Sequence, residues 1–293
     1  MQSLDDILEI GSRLMDSFKY DEAIAYFAKA IELYPADPRA YDLKGISFFR
    51  QLKIDEAIAE INKALACDPA FHLAFFHLAE LYTEQGDFKS ADNYCAKALE
   101  IAPDNERYLT TWAYIKLLAK EDEQCISICS HLLNFNPADI YAREYRANAY
   151  LNKKEFKQAI ADYEILHGSI MENSIILNNL GYAYSKIGDT NYSERYLLAA
   201  IKLDPGFSFP YNNLGYVYML KGDSKKAHAF IDKSIELDPG NSYAFKNKAL
   251  VYLKQNDTKN AIAALEKAKA LRFDIYYGDE VDLLLNKLIG EEA

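Results

Sequence analysis

The sequence predicts an all-α solenoid of stacked helical hairpins, and three observations predict it. Proline recurs at Pro35, Pro69, Pro103 and Pro137, gives way to Met171 at the next step, and returns at Pro205 and Pro239, with Phe273 one step further; every step is 34 residues. Twelve positions ahead of each mark stands a small residue: Ala23, Ala57, Ala91, Cys125, Ala159, Ser193, Ala227 and Ala261. Eight ahead stands a second series, mostly bulkier and apolar: Phe27, Ile61, Cys95, Cys129, Tyr163, Leu197, Ile231 and Leu265. The third observation is that apolar residues fall at helical spacing on two segments of every unit, split by turn residues such as Gly86-Asp87, Gly188-Asp189 and Gly222-Asp223.

Each unit is therefore read as helix, turn, helix. Small residues at the eighth and twentieth positions, for example Gly215 and Ala227, let the two helices approach, and proline ends the second helix because it lacks a donor and restricts the residue before it. A lone hairpin cannot bury its apolar face, so neighbours must stack. The expected units are 4–37, 38–71, 72–105, 106–139, 140–173, 174–207, 208–241 and 242–275, followed by a capping helix in 276–293, the whole forming a single array over 1–293. Ser3 is expected to cap the first helix, with Asp6 as its acidic partner. Asp279 is expected to cap the last helix, whose residues Val281, Leu284, Leu285 and Leu288 share one apolar face.

The segment Tyr211-Asn212-Asn213-Leu214-Gly215-Tyr216-Val217-Tyr218 shows the pattern most fully. A large residue, Leu-Gly, an aromatic, Ala, a large residue, Ala and Pro at fixed offsets resembles the tetratricopeptide repeat, whose period is 34. The resemblance covers nearly the whole chain. It implies a right-handed superhelix whose first helices line a concave wall, at positions 2, 5, 6, 9, 12 and 13 of each unit, and it implies capture of another polypeptide there.

Two places depart from the pattern. The fourth unit carries Cys125 and Cys129 in core slots and Lys116 where other units mostly place an aromatic. The fifth reads Leu166-His167-Gly168-Ser169-Ile170-Met171 where proline would stand, so Gly168 is either a hinge or an early helix stop.

No reaction chemistry is legible. Cys125 and Cys129 share a helical face, but a structural zinc site needs four ligands and His131 points elsewhere; buried thiols without metal are expected. His72, His77, His131, His167 and His228 pair with no nucleophile by spacing, and no phosphate-binding glycine loop occurs. The expectation is a protein without cofactor that is not an enzyme. With a net charge of −11 and no basic stripe, nucleic acid is excluded as a partner. No apolar run reaches the roughly 20 residues of a membrane span, the first residues do not read as a secretory signal, and four scattered cysteines fit a reducing cytoplasm.

The resemblance places the ligand-facing residues of the last four units at positions 2, 5, 6 and 9. These are Tyr141, Glu144, Tyr145 and Asn148; Ile175, Asn178, Asn179 and Tyr182; Phe209, Asn212, Asn213 and Tyr216; and Tyr243, Lys246, Asn247 and Leu250. Asn179, Asn213 and Asn247 recur at position 6, similar to the asparagine ladder that holds extended backbones in the O-linked glucosamine transferases. An amide both donates and accepts, which suits a peptide group of any sequence. The carboxylate clamp of family members that bind chaperone C-termini is broken here: Glu144, Asn148, Asn179, Phe209 and Asn213 keep its two asparagines and lack its three cations. The early units hold Asp5, Glu9, Asp16, Asp42 and Glu80 against Arg39, Arg50 and Arg107, a lean toward partners with basic residues. The expected function is a scaffold or adaptor that holds an extended or helical peptide segment. A peptide-sensing regulator and a structural or self-associating subunit are the alternatives.

Overall fold

The computed structural model describes residues 2–169 and 173–292, and among them every regular element is a helix. The helices pair along the chain: α1 (Leu4–Asp16) with α2 (Tyr20–Leu33), α3 (Pro38–Arg50) with α4 (Ile54–Cys67), α5 (His72–Glu84) with α6 (Phe88–Ile101), and α7 (Glu106–Leu118) with α8 (Asp122–Phe135). After α9 (Ile140–Asn152) and α10 (Phe156–Ser169) come α11 (Ser174–Lys186) with α12 (Thr190–Leu203), α13 (Ser208–Leu220) with α14 (Ser224–Leu237), and α15 (Ser242–Lys254) with α16 (Thr258–Ala270). A short α17 (Phe273–Tyr277) and a final α18 (Glu280–Glu292) follow. The chain divides into two compact units, Met1–Ala149 and Tyr150–Ala293, with the boundary inside α9.

Local chemistry sets the ends of these helices. Ser3 and Asp6 form a reciprocal capping box on α1, and the Ser3 hydrogen bonds hold the Asp6 carboxyl below its usual range. Asp87, Asp189, Asp223 and Asp257 each accept from the backbone N–H three residues on, at the start of α6, α12, α14 and α16. The second helices end two residues before proline: at Tyr34, Asp68, Ala102, Asn136, Asp204 and Asp238 ψ leaves the helical range for 64° to 100°, as a following pyrrolidine ring demands. Tyr41 and Tyr211 then donate to the freed carbonyls of Pro35 and Pro205 at 3.2 Å.

Between the helices of every hairpin one residue takes a left-handed conformation, at Phe18, Leu52, Gly86, Lys120, Lys154, Gly188, Gly222 and Asn256. These lie 34 apart. Three are glycine and one asparagine, which adopt that region at little cost; the remaining four hold it against the steric preference of their side chains. In the sequence this turn is marked only where glycine stands, at Gly86, Gly188 and Gly222.

Close helix approach explains the small residues. A Cβ built on Gly215 would lie 2.4 Å from Ile231 Cγ1 and 3.0 Å from the Ala227 carbonyl, so only glycine fits at that crossing. The core is a series of small clusters, several of them closed by the alanine at position 3 of the next first helix. Ile7, Ala23, Phe27 and Ala30 pack with Ala40; Ala57, Ile61 and Ala64 with Ala74; Cys125, Cys129 and Leu132 with Ala142. At the far end Val281, Leu285 and Leu288 of α18 are buried with Leu265, Ala268 and Phe273. That helix begins at Glu280, directly after Asp279.

Two departures resolve differently from each other. Lys116 is buried but ion-paired, 2.7 Å from Asp92 and 2.9 Å from Glu121, so a charged triad fills the aromatic slot. Gly168 does not stop α10, which continues to Ser169; Met171 lies outside the described residues.

Candidate functional site

In the first unit the inner-wall positions surround a cleft of about 490 Å³. It is lined by Arg50, His77, Glu80, Glu84, Arg107 and Tyr114, from positions 2, 6, 9 and 13 of successive first helices. His77 Nδ1 lies 2.9 Å and 3.0 Å from the two oxygens of Asp42, which is almost wholly buried beneath it. Arg107 spans Glu80 at 3.4 Å and the face of Phe76 at 4.4 Å. Further along, Tyr114, Tyr141 and Tyr145 form an aromatic patch, the Tyr145 ring centroid lying 5.3 Å from that of Tyr114 and 6.4 Å from that of Tyr141. Burial pushes the Tyr145 hydroxyl up to about 12 and raises the Glu144 carboxyl. Asn148 is partly buried on the same helix and is held by other groups of the protein.

In the second unit the asparagines do not stand free. Asn213 Nδ2 donates to Asn178 Oδ1 at 2.9 Å, and Asn247 Nδ2 donates to Asn212 Oδ1 at 3.0 Å. The residue at position 5 of one unit thus accepts from position 6 of the next, and all four amides are buried. Asn178 Nδ2 in turn donates to Asn179 Oδ1, and Asn179 Nδ2 donates to the Tyr163 hydroxyl. Asn213 and Asn247 of the expected ladder, with Asn178 and Asn212 of the expected groove set, are thus buried and bonded within the chain. Positions 5 and 6 lie where neighbouring first helices touch, so a buried amide there must bond across the joint.

What remains exposed on this face is apolar and aromatic. Ile175 is 52 % exposed and Phe209 37 %. Tyr182, Tyr216 and Tyr243 are partly buried beside them. Tyr243 donates to Tyr182, and burial followed by the charge of the Tyr182 oxygen raises the Tyr243 hydroxyl. Tyr243 also stacks on Phe273 at 5.8 Å and meets Tyr277 edge-on at 5.0 Å. Lys246 is not an open cation either: it is buried, 2.8 Å from Glu280 and 5.0 Å from the Tyr243 ring centroid.

Two residues of this face escaped the early reading. Lys186, at position 13, lies over Tyr182 and Tyr216 with its ammonium 5.1 Å and 4.4 Å from their ring centroids. Burial, reinforced by the charge of Lys246, lowers its pKa to about 8. Position 13 was among the inner positions, so reading beyond position 9 would have found it. Glu280 reaches this face from the segment after α17, and no sequence signal places it there.

Among the described residues no group of three or more His, Cys, Asp or Glu side chains could hold a metal. Cys125 and Cys129 are buried with their sulfurs 3.9 Å apart, and burial raises the Cys95 thiol to about 12. No described helix is long and apolar enough to cross a membrane.

Hairpins repeating every 34 residues define a helical-repeat protein. The chain belongs to the tetratricopeptide repeat family, which matches residues 8–70, 48–120, 175–207, 196–229 and 230–263. Among similar proteins, DnaJ homolog subfamily C member 3 of Mus musculus is 20 % identical over 251 residues, 68 % of this chain and 50 % of that protein. Hsp70-Hsp90 organizing protein 2 of Arabidopsis thaliana is 25 % identical over 105 residues, 36 % of this chain and 18 % of that one. The chain therefore spans half or less of the length of these relatives. Of solved structures, the APC/C hetero-tetramer Cut9-Hcn1 superposes with a TM-score of 0.63 at 16 % identity, covering 92 % of this chain and 52 % of that one. Pseudomonas aeruginosa pilF gives 0.61 at 19 % identity, covering 69 % and 92 %. At such identities these structures speak for the fold, the all-α solenoid of the family.

Proposed function

We propose that the chain is a non-catalytic interaction scaffold that holds an extended or helical segment of another protein against its inner helices. The observation that carries this reading is what stays exposed once the amides are spent. Ile175 and Phe209 occupy position 2 of successive units, and Tyr141 occupies it in the first compact unit at 57 % exposure. None of the three is needed to join one repeat to the next, whereas the buried asparagines beside them are. An apolar and aromatic row flanked by polar groups is the composition of a protein contact surface. The name of the Arabidopsis relative, an organizer of two other proteins, agrees with the class.

The proposed contact residues are Tyr141, Tyr145, Asn148, Asn179, Tyr182, Phe209, Tyr216 and Tyr243, with Asn178, Asn212, Asn213, Lys246 and Asn247 as the bonded frame behind them. The four free thiols fit a cytoplasmic setting. The test is capture of bound proteins from native extract by the full chain. Ile175→Ala with Phe209→Ala should lose them, while an outer-surface control at Lys225, Asp232 and Glu236 should keep them. The reverse result moves the working face to the second helices.

A further inference from the structure

The inner faces of the two compact units differ in charge. At positions 2, 5, 6, 9, 12 and 13 the first unit carries seven carboxylates, Asp5, Glu9, Asp16, Asp42, Glu80, Glu84 and Glu144, against three arginines, Arg39, Arg50 and Arg107. The complete repeats of the second unit, from Ser174 onward, carry none at those positions and three lysines, Lys186, Lys246 and Lys254. In a chain of net charge −11 this is a local reversal. Lys254 is spent on the Met219 carbonyl at 2.7 Å. Lys246 and Lys186 remain, and the charge of Lys246 adds to burial in lowering the pKa of Lys186.

One carboxylate serves them both, and it comes from outside the repeats. Glu280 bonds Lys246 at 2.8 Å and draws electrostatically on Lys186, Tyr182, Tyr216 and Tyr243, so it stands over the inner face of three successive repeats. Its side chain is nevertheless about half exposed, whereas that of Lys246 is almost fully buried. Among the described residues Lys186 has no carboxylate within ion-pair distance, and its ammonium lies against the two tyrosine rings. An ammonium held largely out of water without a counter-ion is costly unless something supplies the opposite charge. The low pKa of Lys186 records that cost.

We propose that Lys186 and Lys246, walled by Tyr182, Tyr216 and Tyr243, are a recognition site for the carboxylate side chains of an acidic peptide segment, and that Glu280 is a built-in occupant which such a segment displaces. The inference rests on the inner-face reading above and names the chemistry of its partner. The aromatic walls take the apolar stems of the acidic residues and exclude water from the ion pairs, which strengthens them. Glu280 opens α18 and its side chain is about half exposed, so rotation of that side chain alone frees Lys246 without unpacking Val281 or Leu285.

The experiment uses the full chain and two fluorescein-labelled peptides of alternating leucine and glutamate, or leucine and glutamine, titrated by fluorescence anisotropy. The glutamate peptide should bind wild type at least about tenfold more tightly than the glutamine peptide, as two desolvated charge pairs warrant. Lys186→Gln should abolish most of that preference, and Glu280→Gln should raise affinity for the glutamate peptide several-fold. Circular dichroism melting shows that both variants are folded. Equal binding of the two peptides, or a preference that survives Lys186→Gln, overturns the site, and unchanged affinity in Glu280→Gln overturns the displacement. If both peptides bind equally and Phe209→Ala weakens both, the inner face stands and only the acidic partner is wrong. If neither binds wild type or Glu280→Gln, or only the outer-surface change weakens them, both readings fail.

Discussion

Replacing Asn247 with alanine should destabilise the protein, although the residue is a polar one outside the apolar clusters. Asn212 is 0 % exposed and its only bond through Oδ1 comes from Asn247, while its Nδ2 is already without a partner. Removing the donor leaves a wholly buried amide with nothing bonded. An orphaned buried polar group costs about 1–3 kcal/mol, whereas an exposed asparagine of a helix would change stability by about 0.5 kcal/mol at most. At about 2–4 °C per kcal/mol for a protein somewhat smaller than this one, the melting midpoint should fall by about 2–12 °C. Because repeat arrays can unfold in parts, hydrogen exchange should be followed alongside the melt, with protection lost first in α13 and α15. Asn212→Ala should cost a similar amount, and the double variant less than the sum, with a coupling of about 0.5–1.5 kcal/mol. Two singles each within about 0.5 kcal/mol of wild type, adding without coupling, would refute the claim that the amides join the repeats.

Lys186→Met should raise the melting temperature at pH 7. The folded protein holds this pKa at about 8 against 10.5 for a free lysine, so the unfolded chain binds more protons between those values, and wild-type stability rises with pH across that window. The advantage of the variant should therefore shrink from pH 8 to pH 10.5, and a constant advantage would show that the charge is not its source. Leu52→Gly should stabilise by about 0.5–1 kcal/mol in chemical denaturation, because Leu52 sits at φ 62° while 82 % exposed; the relief of about 1–2 kcal/mol is partly offset by glycine's entropy. Loss of stability instead would mean that Leu52 packs on the cleft it borders. Deleting Asp279–Ala293 should expose the cluster around Leu265 and Phe273 and remove about 5–9 kcal/mol of burial by Val281, Leu285 and Leu288, seen as fraying of α15 and α16 or as aggregation. Unchanged solubility and melting would show that α18 is dispensable. Cys125→Ala with Cys129→Val should cost under about 1.5 kcal/mol and leave partner binding intact, since both thiols are buried in packing roles; metal that purifies with wild type and vanishes in this variant would contradict it.

The chain announces its hairpins because their causes are local and repeated. Proline ends a helix wherever it stands, aspartate caps the next one, and a glycine such as Gly215 marks a crossing where a Cβ would lie 2.4 Å from its neighbour. Thirty-four residues of such rules, repeated, fix the fold class and point to the inner positions. The left-handed turn was legible at Gly86, Gly188 and Gly222 and hidden at Phe18, Leu52, Lys120 and Lys154, where closure of the hairpin overrides the preference of the side chain.

The use to which each inner residue is put was not legible. Asn213 and Asn247 have the same letter and spacing as a ligand ladder, yet the approach of adjacent first helices buries them against Asn178 and Asn212. That approach depends on contacts between residues 35 apart, which no window of local sequence contains. Glu280 lies 34 residues beyond Lys246 and 94 beyond Lys186, and only the path of the chain after α17 brings it to them. The sequence by itself determined the helices, their period and the face they share; the tertiary structure decided which side chains of that face are spent on the joints and which are left for a partner, because burial and pairing are properties of neighbours in space.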